Sequence, residues 1–103
     1  MSVLMEFSMF PTDKGESVSE YVSNVIEVIR NEGHSYKLTA MGTIVETKTM
    51  AEALSVVQKA HDVLEKDASR IYSSIKIDVR KNKSDRLDGK IQSIEKNIGS
   101  VDH

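Results

Sequence analysis

With 103 residues and no cysteine, the chain is long enough to bury a hydrophobic core without disulfides, and thiolate nucleophiles and cysteine-bound metal sites are excluded. Its 14 Lys and Arg residues against 16 Asp and Glu residues give a formal net charge of -2 without blocks of like charge, which argues against binding to a nucleic-acid backbone. No apolar run approaches the roughly 20 residues of a membrane span, and the first residues do not resemble a signal peptide, so we expect a soluble cytoplasmic protein.

The first predicted element is a strand over residues 3–11, where two kinds of side chain alternate with the period of two that a strand requires. One set is fully apolar and is expected to face a core. The other set contains a carboxylate, a hydroxyl and two large apolar groups. The core-facing set is Val3, Met5, Phe7 and Met9, and the opposite set is Leu4, Glu6, Ser8 and Phe10.

A loop over residues 11–16 contains Pro and Gly and leads into a predicted helix over about residues 18–32. Ser17, with Glu20 three residues later, has the form of a capping box, in which each side chain satisfies a backbone amide of the other residue. Gly33 is expected to end the helix, because glycine adopts a left-handed conformation without strain. The apolar stripe of this helix is Val18, Val22, Val25, Ile26 and Ile29.

A hairpin is predicted next, with strands over residues 36–39 and 43–47 and with Gly42 in or beside its turn. Thr49 with Glu52 repeats the capping-box signature, and a second helix is predicted to follow over about residues 50–66. The residues expected to face inward on it are Ala53, Leu54, Val57, Ala60, His61 and Leu64.

The clearest alternation lies in residues 71–81, IYSSIKIDVRK, and it predicts a fourth strand with one face on the core. The other face carries a row of polar and charged groups. The expected core-facing residues are Ile71, Ile75, Ile77 and Val79, and the polar row is Tyr72, Ser74, Lys76, Asp78 and Arg80.

An amphipathic third helix is predicted over about residues 84–98, with Ser84 as its cap and Gly99 as its end. Gly89 lies inside it at a cost of about 0.8–1 kcal/mol relative to Ala, which indicates either a close backbone approach or an imperfect helix. The apolar residues at helical spacing are Leu87, Ile91, Ile94 and Ile98.

The order strand, helix, strand, strand, helix, strand predicts a ferredoxin-like α+β sandwich, a four-stranded antiparallel sheet with two helices on one face. We expect residues 1–103 to form one such domain with an extra C-terminal helix. In this topology the fourth strand lies beside the first, so their mixed faces join into one surface. Large apolar groups on that surface predict a homo-oligomer in which sheet faces or edges pair, with the third helix either covering part of the sheet or reaching a neighbour.

Few residues have the spacing of a known catalytic or metal site. The three histidines are not spaced as metal ligands, and His61 has either a partly buried structural role or a ligand-binding or catalytic one. No phosphate-binding glycine loop or serine-nucleophile motif is present. Glu6 and Lys76 either form a plain cross-strand pair or belong to a site for a polar or cationic ligand. The acceptors of such a site would be Glu6, Glu46 and Asp78, and its donors Ser8 and Thr43.

Four segments together resemble the small thiamine-binding protein family: VLMEFSMFP, MGTIVE, AHDVLEKDASRIYSSIKIDVRKNK and the closing helix. The resemblance covers nearly the whole chain. It is most specific at residues 6–8, 41–43 and 75–78, and at Glu46, His61 and Arg80. Many relatives are expected to have proline where this chain has Ala40, a departure that concerns the hairpin more than the ligand.

The resemblance implies a ferredoxin-like protein that binds thiamine or its hydroxymethylpyrimidine half without catalysis, as a carrier, buffer or sensor, and that assembles as a tetramer of paired dimers. It implies no metal and no cofactor besides the bound ligand. Two other hypotheses remain open. One is a regulatory or assembly module that binds another protein through the open sheet face, and the other is an enzyme that uses the same pocket with His61.

Thiamine combines a thiazolium cation with an aminopyrimidine, so its site needs carboxylate or aromatic groups for the first part and paired donors and acceptors for the second. From this resemblance we expect the carboxylate of Glu46 or Glu6 to hydrogen-bond the aminopyrimidine, while Phe10 or Tyr36 offers a ring for stacking. The basic side chains of the fourth strand either hold the carboxylates in place or bridge subunits. The expected ligand-binding residues are Glu6, Ser8, Phe10, Tyr36, Met41, Gly42, Thr43, Glu46, Lys76, Asp78 and Arg80.

Overall fold

The computed structural model describes residues 1–103, and its strands and helices follow the predicted order. The strands form one antiparallel sheet in the order β2-β3-β1-β4, and the first two helices pack on one face of it, so the ferredoxin-like prediction is confirmed. The elements are β1 (Ser2–Pro11), α1 (Ser19–Glu32), β2 (Ser35–Leu38), β3 (Thr43–Thr47), α2 (Met50–Glu65), β4 (Ile71–Arg80) and α3 (Arg86–Ile98).

Strand β1 supplies the centre of the core. Its four predicted core-facing side chains are at most 4% exposed, which confirms the alternation of this strand. Helices α1 and α2 close over this row because their own apolar stripes recur at helical spacing. The core residues from the other elements are Val25, Ile29, Val45, Ala53, Val56, Ala60 and Leu64.

Strand β4 pairs with β1 along its whole length, from Ser2 opposite Arg80 to Pro11 opposite Ile71. The prediction that β4 lies beside β1 is therefore confirmed. Because residues that face each other across an antiparallel pair point to the same side, Glu6 and Lys76 lie together on the face away from α1 and α2. The Lys76 Nζ is 3.3 Å from the Glu6 carboxylate, so the cross-strand pair exists.

The two predicted capping boxes have different outcomes. The Thr49 hydroxyl accepts a hydrogen bond from the Glu52 amide at 3.1 Å, as expected. The cap at Ser17 is wrong, because α1 begins one residue later than the capping box requires and its N-cap is Val18, which has no side-chain acceptor. Gly33 ends this helix at φ 80°, as predicted.

Three apolar residues expected to face the core are substantially exposed, and His61, also expected to face inward on α2, has 41% of its side chain exposed. Leu54 of α2 is 52% exposed, because the helix turns Val56 inward instead. Ile75 and Val79 of β4 are 41% and 40% exposed, because β4 is the edge of the sheet and α2 covers it only in part. The fourth strand therefore has the predicted alternation but lacks a complete cover on its apolar side.

Helix α3 lies on the face of the sheet opposite α1 and α2, where it contacts β1, β2 and β3. This agrees with the expectation that the third helix covers part of the sheet. None of its residues is fully buried. A Cβ added at Gly89 would meet nothing within 4 Å, so the close backbone approach proposed for this glycine is absent. None of the three helices combines the length and the apolar character that a membrane span requires.

Replacing Gly89 by Ala is expected to stabilise α3 by about 0.8–1 kcal/mol, because alanine loses less backbone entropy in a helix and its methyl group has free space here. Amide hydrogen exchange along α3 measures this as greater protection. The control is Gly99→Ala, which should destabilise the helix end because Gly99 has φ 88°. Unchanged or lower protection in Gly89→Ala would contradict the expectation.

Candidate functional site

A cleft of about 370 Å³ opens between α1, the second half of β1 and the β2–β3 turn, and we call it the ring cleft. Its walls are mainly apolar and come from both layers of the fold. Val22 and Ile26 of α1 line one side, Phe7 and Met9 of β1 line another, and Leu38 stands at the turn. Five expected ligand-binding residues also line it: Ser8, Phe10, Met41, Gly42 and Thr43.

The β2–β3 turn at the mouth of the ring cleft is held by its own hydrogen bonds. The Thr39 hydroxyl accepts from the amides of Met41 and Gly42 at 3.3 and 3.2 Å and donates to the Gly42 carbonyl at 2.8 Å. The backbone of this turn is therefore ordered, whereas the Met41 side chain is 87% exposed beside the opening.

Gly42 lets this turn approach β1 closely. A Cβ at this position would lie 3.1 Å from the Phe7 carbonyl oxygen and 3.8 Å from the Glu6 Cγ. The first distance is tighter than most Cβ contacts, so a larger residue here requires the neighbouring backbone to shift by a few tenths of an ångström, although the φ of Gly42 is not positive. The second distance shows that the Glu6 side chain lies directly beside the turn that lines the ring cleft.

Glu6 also lines a shallow depression of about 240 Å³ on the open sheet face, which we call the charged groove. Leu4 and Ile44 form its apolar floor, and Lys76 and Asp78 stand on the β4 side. Gly42, which lines the ring cleft, and Glu6, which lines the charged groove, are thus neighbours. An apolar compartment lies next to a carboxylate that is about half exposed, with 45% of its side chain accessible.

Glu46 has a structural role that the sequence did not indicate. Its carboxylate accepts hydrogen bonds from the amides of Arg86 and Leu87 at 2.9 and 3.0 Å and from the Ser2 hydroxyl at 2.6 Å. Glu46 therefore caps the start of α3 from another part of the chain. The predicted cap at Ser84 is wrong, since Asp85 precedes the helix in a left-handed conformation and makes no side-chain cap.

The electrostatics of Glu46 follow from these contacts. Partial burial alone would raise the pKa of its carboxyl group, but the hydrogen bonds from Ser2, Arg86 and Leu87 outweigh burial, so the pKa lies below its ordinary value. The charged form is therefore the one that holds α3.

Arg86 is a structural residue that the sequence did not indicate. Its guanidinium donates to the backbone carbonyls of Ser2 and Asp78 at 3.1 and 3.0 Å and forms an ion pair with the Asp78 carboxylate. Its side chain is 11% exposed, so this is the most enclosed ion-pair residue of the open face. No periodicity or motif in the sequence indicates this role, because the partners of Arg86 lie at the start of β1 and near the end of β4.

The remaining expected residues lie apart from the charged groove. Tyr36 packs against the core on the helix side of the sheet, and Thr43 is 5% exposed. Arg80 lies at the far end of β4, opposite Ser2. His61 lines none of the cavities, and its Nε2 is 3.6 Å from the Glu65 carboxylate.

Comparisons with known proteins agree with this geometry. The sequence model of the thiamine-binding protein family matches residues 5–95. The chain belongs to this family. It is 38% identical over 96 residues to the UPF0045 protein MT1949 of Mycobacterium tuberculosis, which covers 93% of this chain and 94% of the relative.

Two solved structures extend the comparison. The crystal structure of the hypothetical protein MJ1052 from Methanocaldococcus jannaschii matches with a TM-score of 0.82 at 38% identity, over 90% of this chain and 95% of that one. A Thermotoga maritima protein proposed to act in thiamine biosynthesis or salvage matches with a TM-score of 0.79 over 91% and 99% of the two chains. At 21% identity, this second match concerns the fold.

Replacing Glu46 by Gln is expected to loosen α3 by about 0.5–2 kcal/mol, because the amides of Arg86 and Leu87 lose a charged acceptor. Since the folded pKa of Glu46 is lowered, its stabilisation is complete above the ordinary value of 4.5 and is lost as the pH falls through the lower folded pKa. Hydrogen-exchange protection of the two amides, measured against pH, reports both effects.

The matched control is Asp88→Asn, which removes an exposed ion pair between α3 and Lys37 and should cost at most about 1 kcal/mol while the acid-induced loss of the Glu46 cap remains. Equal protection in wild type and Glu46→Gln at neutral pH would show that the cap contributes nothing.

Proposed function

We propose that the protein binds thiamine or its hydroxymethylpyrimidine half without catalysing a reaction on it, as a cytoplasmic carrier, buffer or sensor. The observation that carries the proposal is the junction at Gly42 between the apolar ring cleft and the Glu6 carboxylate. Membership of the thiamine-binding protein family supports it. The matching fold of the Thermotoga maritima protein, proposed for thiamine biosynthesis or salvage, is consistent with it.

The chemistry of the ligand fits the two compartments. A flat heteroaromatic ring gains most from apolar walls, and the cleft volume of about 370 Å³ lies at the lower end of the range of roughly 300–1,000 Å³ for small-molecule pockets. A permanent thiazolium cation is stabilised by contact with a carboxylate, provided that this carboxylate is accessible to the ligand. Glu6 meets this requirement, whereas Glu46 already accepts three hydrogen bonds within its own chain.

The polar and aromatic groups of the ring cleft complete the proposed site. The hydroxyls of Ser8 and Thr43 supply donors and acceptors for the aminopyrimidine. Phe10 is the stacking ring that the proposal favours, since it lines the ring cleft, whereas Tyr36 does not line the cleft and is partly buried against the core. Phe10 is also tilted against Tyr72 with ring centroids 5.8 Å apart, so its orientation is supported by a neighbour.

The proposal needs no metal and no cofactor. A non-catalytic role is favoured because His61, the residue on which an enzymatic alternative rests, does not line the ring cleft. The tetramer that the family resemblance implies stays a prediction. Isothermal titration of the purified protein with thiamine, and separately with hydroxymethylpyrimidine, tests the proposal directly. The absence of saturable binding and of thermal stabilisation with both ligands would refute it.

Glu6→Gln should weaken thiamine binding by roughly three- to tenfold and leave hydroxymethylpyrimidine binding unchanged, because only thiamine carries the cation that an exposed carboxylate stabilises. Lys76→Gln is the matched control, since it removes the positive charge 3.3 Å from Glu6 and should therefore strengthen thiamine binding. Calorimetric affinities of both ligands for the three proteins measure this. Equal losses for both ligands in Glu6→Gln would show that the carboxylate does not face the cation.

Val22→Phe should weaken binding of both ligands, because the larger side chain occupies part of the ring cleft from α1. Val28→Phe, a substitution on the same helix outside the cleft, controls for the general cost of overpacking, about 1–3 kcal/mol. Thermal unfolding confirms that both variants are folded before calorimetry. Full binding by a folded Val22→Phe variant would place the ligand elsewhere.

A further inference from the structure

The five methionines of the chain differ widely in their accessibility. Met5 and Met9 lie in the core and are at most 4% exposed, whereas Met1 and Met50 are 56% and 40% exposed. Met41 is 87% exposed, more than any other large apolar side chain of the protein. Because an apolar side chain stabilises a fold by leaving water, Met41 contributes little to the stability of this one.

The position of Met41 gives its exposure a use. Met41 lies in the β2–β3 turn and lines the ring cleft, and Leu38, which is 60% exposed, lines the same cleft just before the turn. Among the other methionines, only the buried Met9 lines this cleft. Two large apolar side chains thus stay in water beside a mainly apolar cleft, which is typical of a surface that becomes covered on binding.

The turn orders the backbone of Met41 but not its side chain. The Met41 amide donates to the Thr39 hydroxyl at 3.3 Å, and the adjacent Gly42 packs closely against the backbone of Phe7. A methionine side chain is unbranched and has three rotatable bonds. Met41 can therefore cover the opening of the ring cleft by rotation of its own torsion angles, without movement of the chain.

We propose that Met41 is an oxidation-sensitive lid of the ring cleft. As a thioether it folds over the outer face of a bound heteroaromatic ring, and its oxidation to the sulfoxide lowers the affinity for the ligand. This inference rests on the proposed function, because it concerns ligand retention in the same cleft. It adds to that function a modification site and a means of regulation.

A thioether is suited to a position between an aromatic ring and water. Its sulfur is polarisable and makes favourable contacts with aromatic rings, and closure of the lid removes apolar surface of both groups from water. Ordering the side chain costs rotamer entropy, so the net gain is smaller than that of full burial. We therefore expect the Met41 lid to contribute roughly two- to tenfold to the affinity.

A peroxide is the oxidant that this regulation requires. With hydrogen peroxide, the Met41 sulfur attacks one peroxide oxygen, and an S–O bond forms while the O–O bond breaks. The departing oxygen takes the proton of the transferred hydroxyl and leaves as water, so that sulfur loses two electrons and the peroxide gains them. The sulfoxide product is polar, and its burial against an apolar ring is therefore unfavourable.

Accessibility directs this reaction to Met41. The chain has no cysteine, so its thioethers are its most readily oxidised side chains. Peroxide reaches the exposed sulfur of Met41 more easily than the buried sulfur of Met9 in the same cleft. Met1 and Met50 are also accessible but do not line the ring cleft, so their oxidation leaves its walls unchanged.

Mild peroxide treatment, followed by calorimetry with thiamine and with hydroxymethylpyrimidine, tests the proposal. Peptide mass spectrometry should show that Met41 is oxidised before Met5 and Met9, and more slowly when ligand is bound. The oxidised protein should bind both ligands roughly two- to tenfold more weakly. Treatment with the two methionine sulfoxide reductases, one for each sulfoxide epimer, should restore the affinity.

Three variants separate Met41 from the other methionines. Met41→Leu keeps an apolar lid of similar volume that cannot be oxidised, so its affinity should stay close to that of wild type and should not respond to peroxide. Met41→Gln puts a polar group at the same position and should weaken binding without any oxidant. Met50→Gln is the matched control, since it makes the same change at an exposed site outside the ring cleft and should bind as wild type does. Circular dichroism confirms that each variant is folded.

Equal affinities of Met41→Gln and wild type would overturn the lid while leaving thiamine binding intact. A peroxide effect that persists in Met41→Leu would do the same, and so would oxidation of Met41 that is no faster than that of Met9. The absence of binding by the untreated protein would instead remove the proposed function, and the lid with it. Failure of the lid alone and failure of the proposed function therefore give different results.

Discussion

The rest of the structure depends on the pairing of β1 with strands on both of its sides. Its inward row is almost completely buried, so the register cannot slip by one residue without turning that row to solvent. That register places Lys76 opposite Glu6 along β4, and it places Glu46 opposite Leu4 along β3. Burial of the apolar row on one side of β1 therefore fixes the positions of the charged residues on its other side.

The open sheet face is divided between two uses. Towards β2 and β3, α3 is held by polar contacts more than by burial: Glu46 caps its start, and Arg86 joins it to β1 and β4. Along β1 and β4, Glu6 and Lys76 remain accessible beside the ring cleft. Two carboxylates on the same sheet face thus differ in chemistry. Glu46 already accepts three hydrogen bonds within its own chain, whereas Glu6 is about half exposed.

The proposed ligand site and the outer edge of the sheet lie in different parts of the fold. The ring cleft lies between α1, β1 and the β2–β3 turn, whereas the free edge belongs to β4 beside α2. Strand β1 connects the two, since its residues contribute to the ring cleft and pair with β4.

By itself, the sequence determined the order of elements, the alternation of β1, the end of α1 at Gly33 and the cap at Thr49, because these depend on near neighbours in the chain. It also indicated that β1 and β4 share a charged face, since the topology follows from that order. Only the tertiary structure decided that Glu46 caps α3, that Tyr36 packs against the core and that Ile75 and Val79 stay exposed. These outcomes depend on contacts between distant segments and on which strand lies at the edge, and periodicity along a chain carries no information about either.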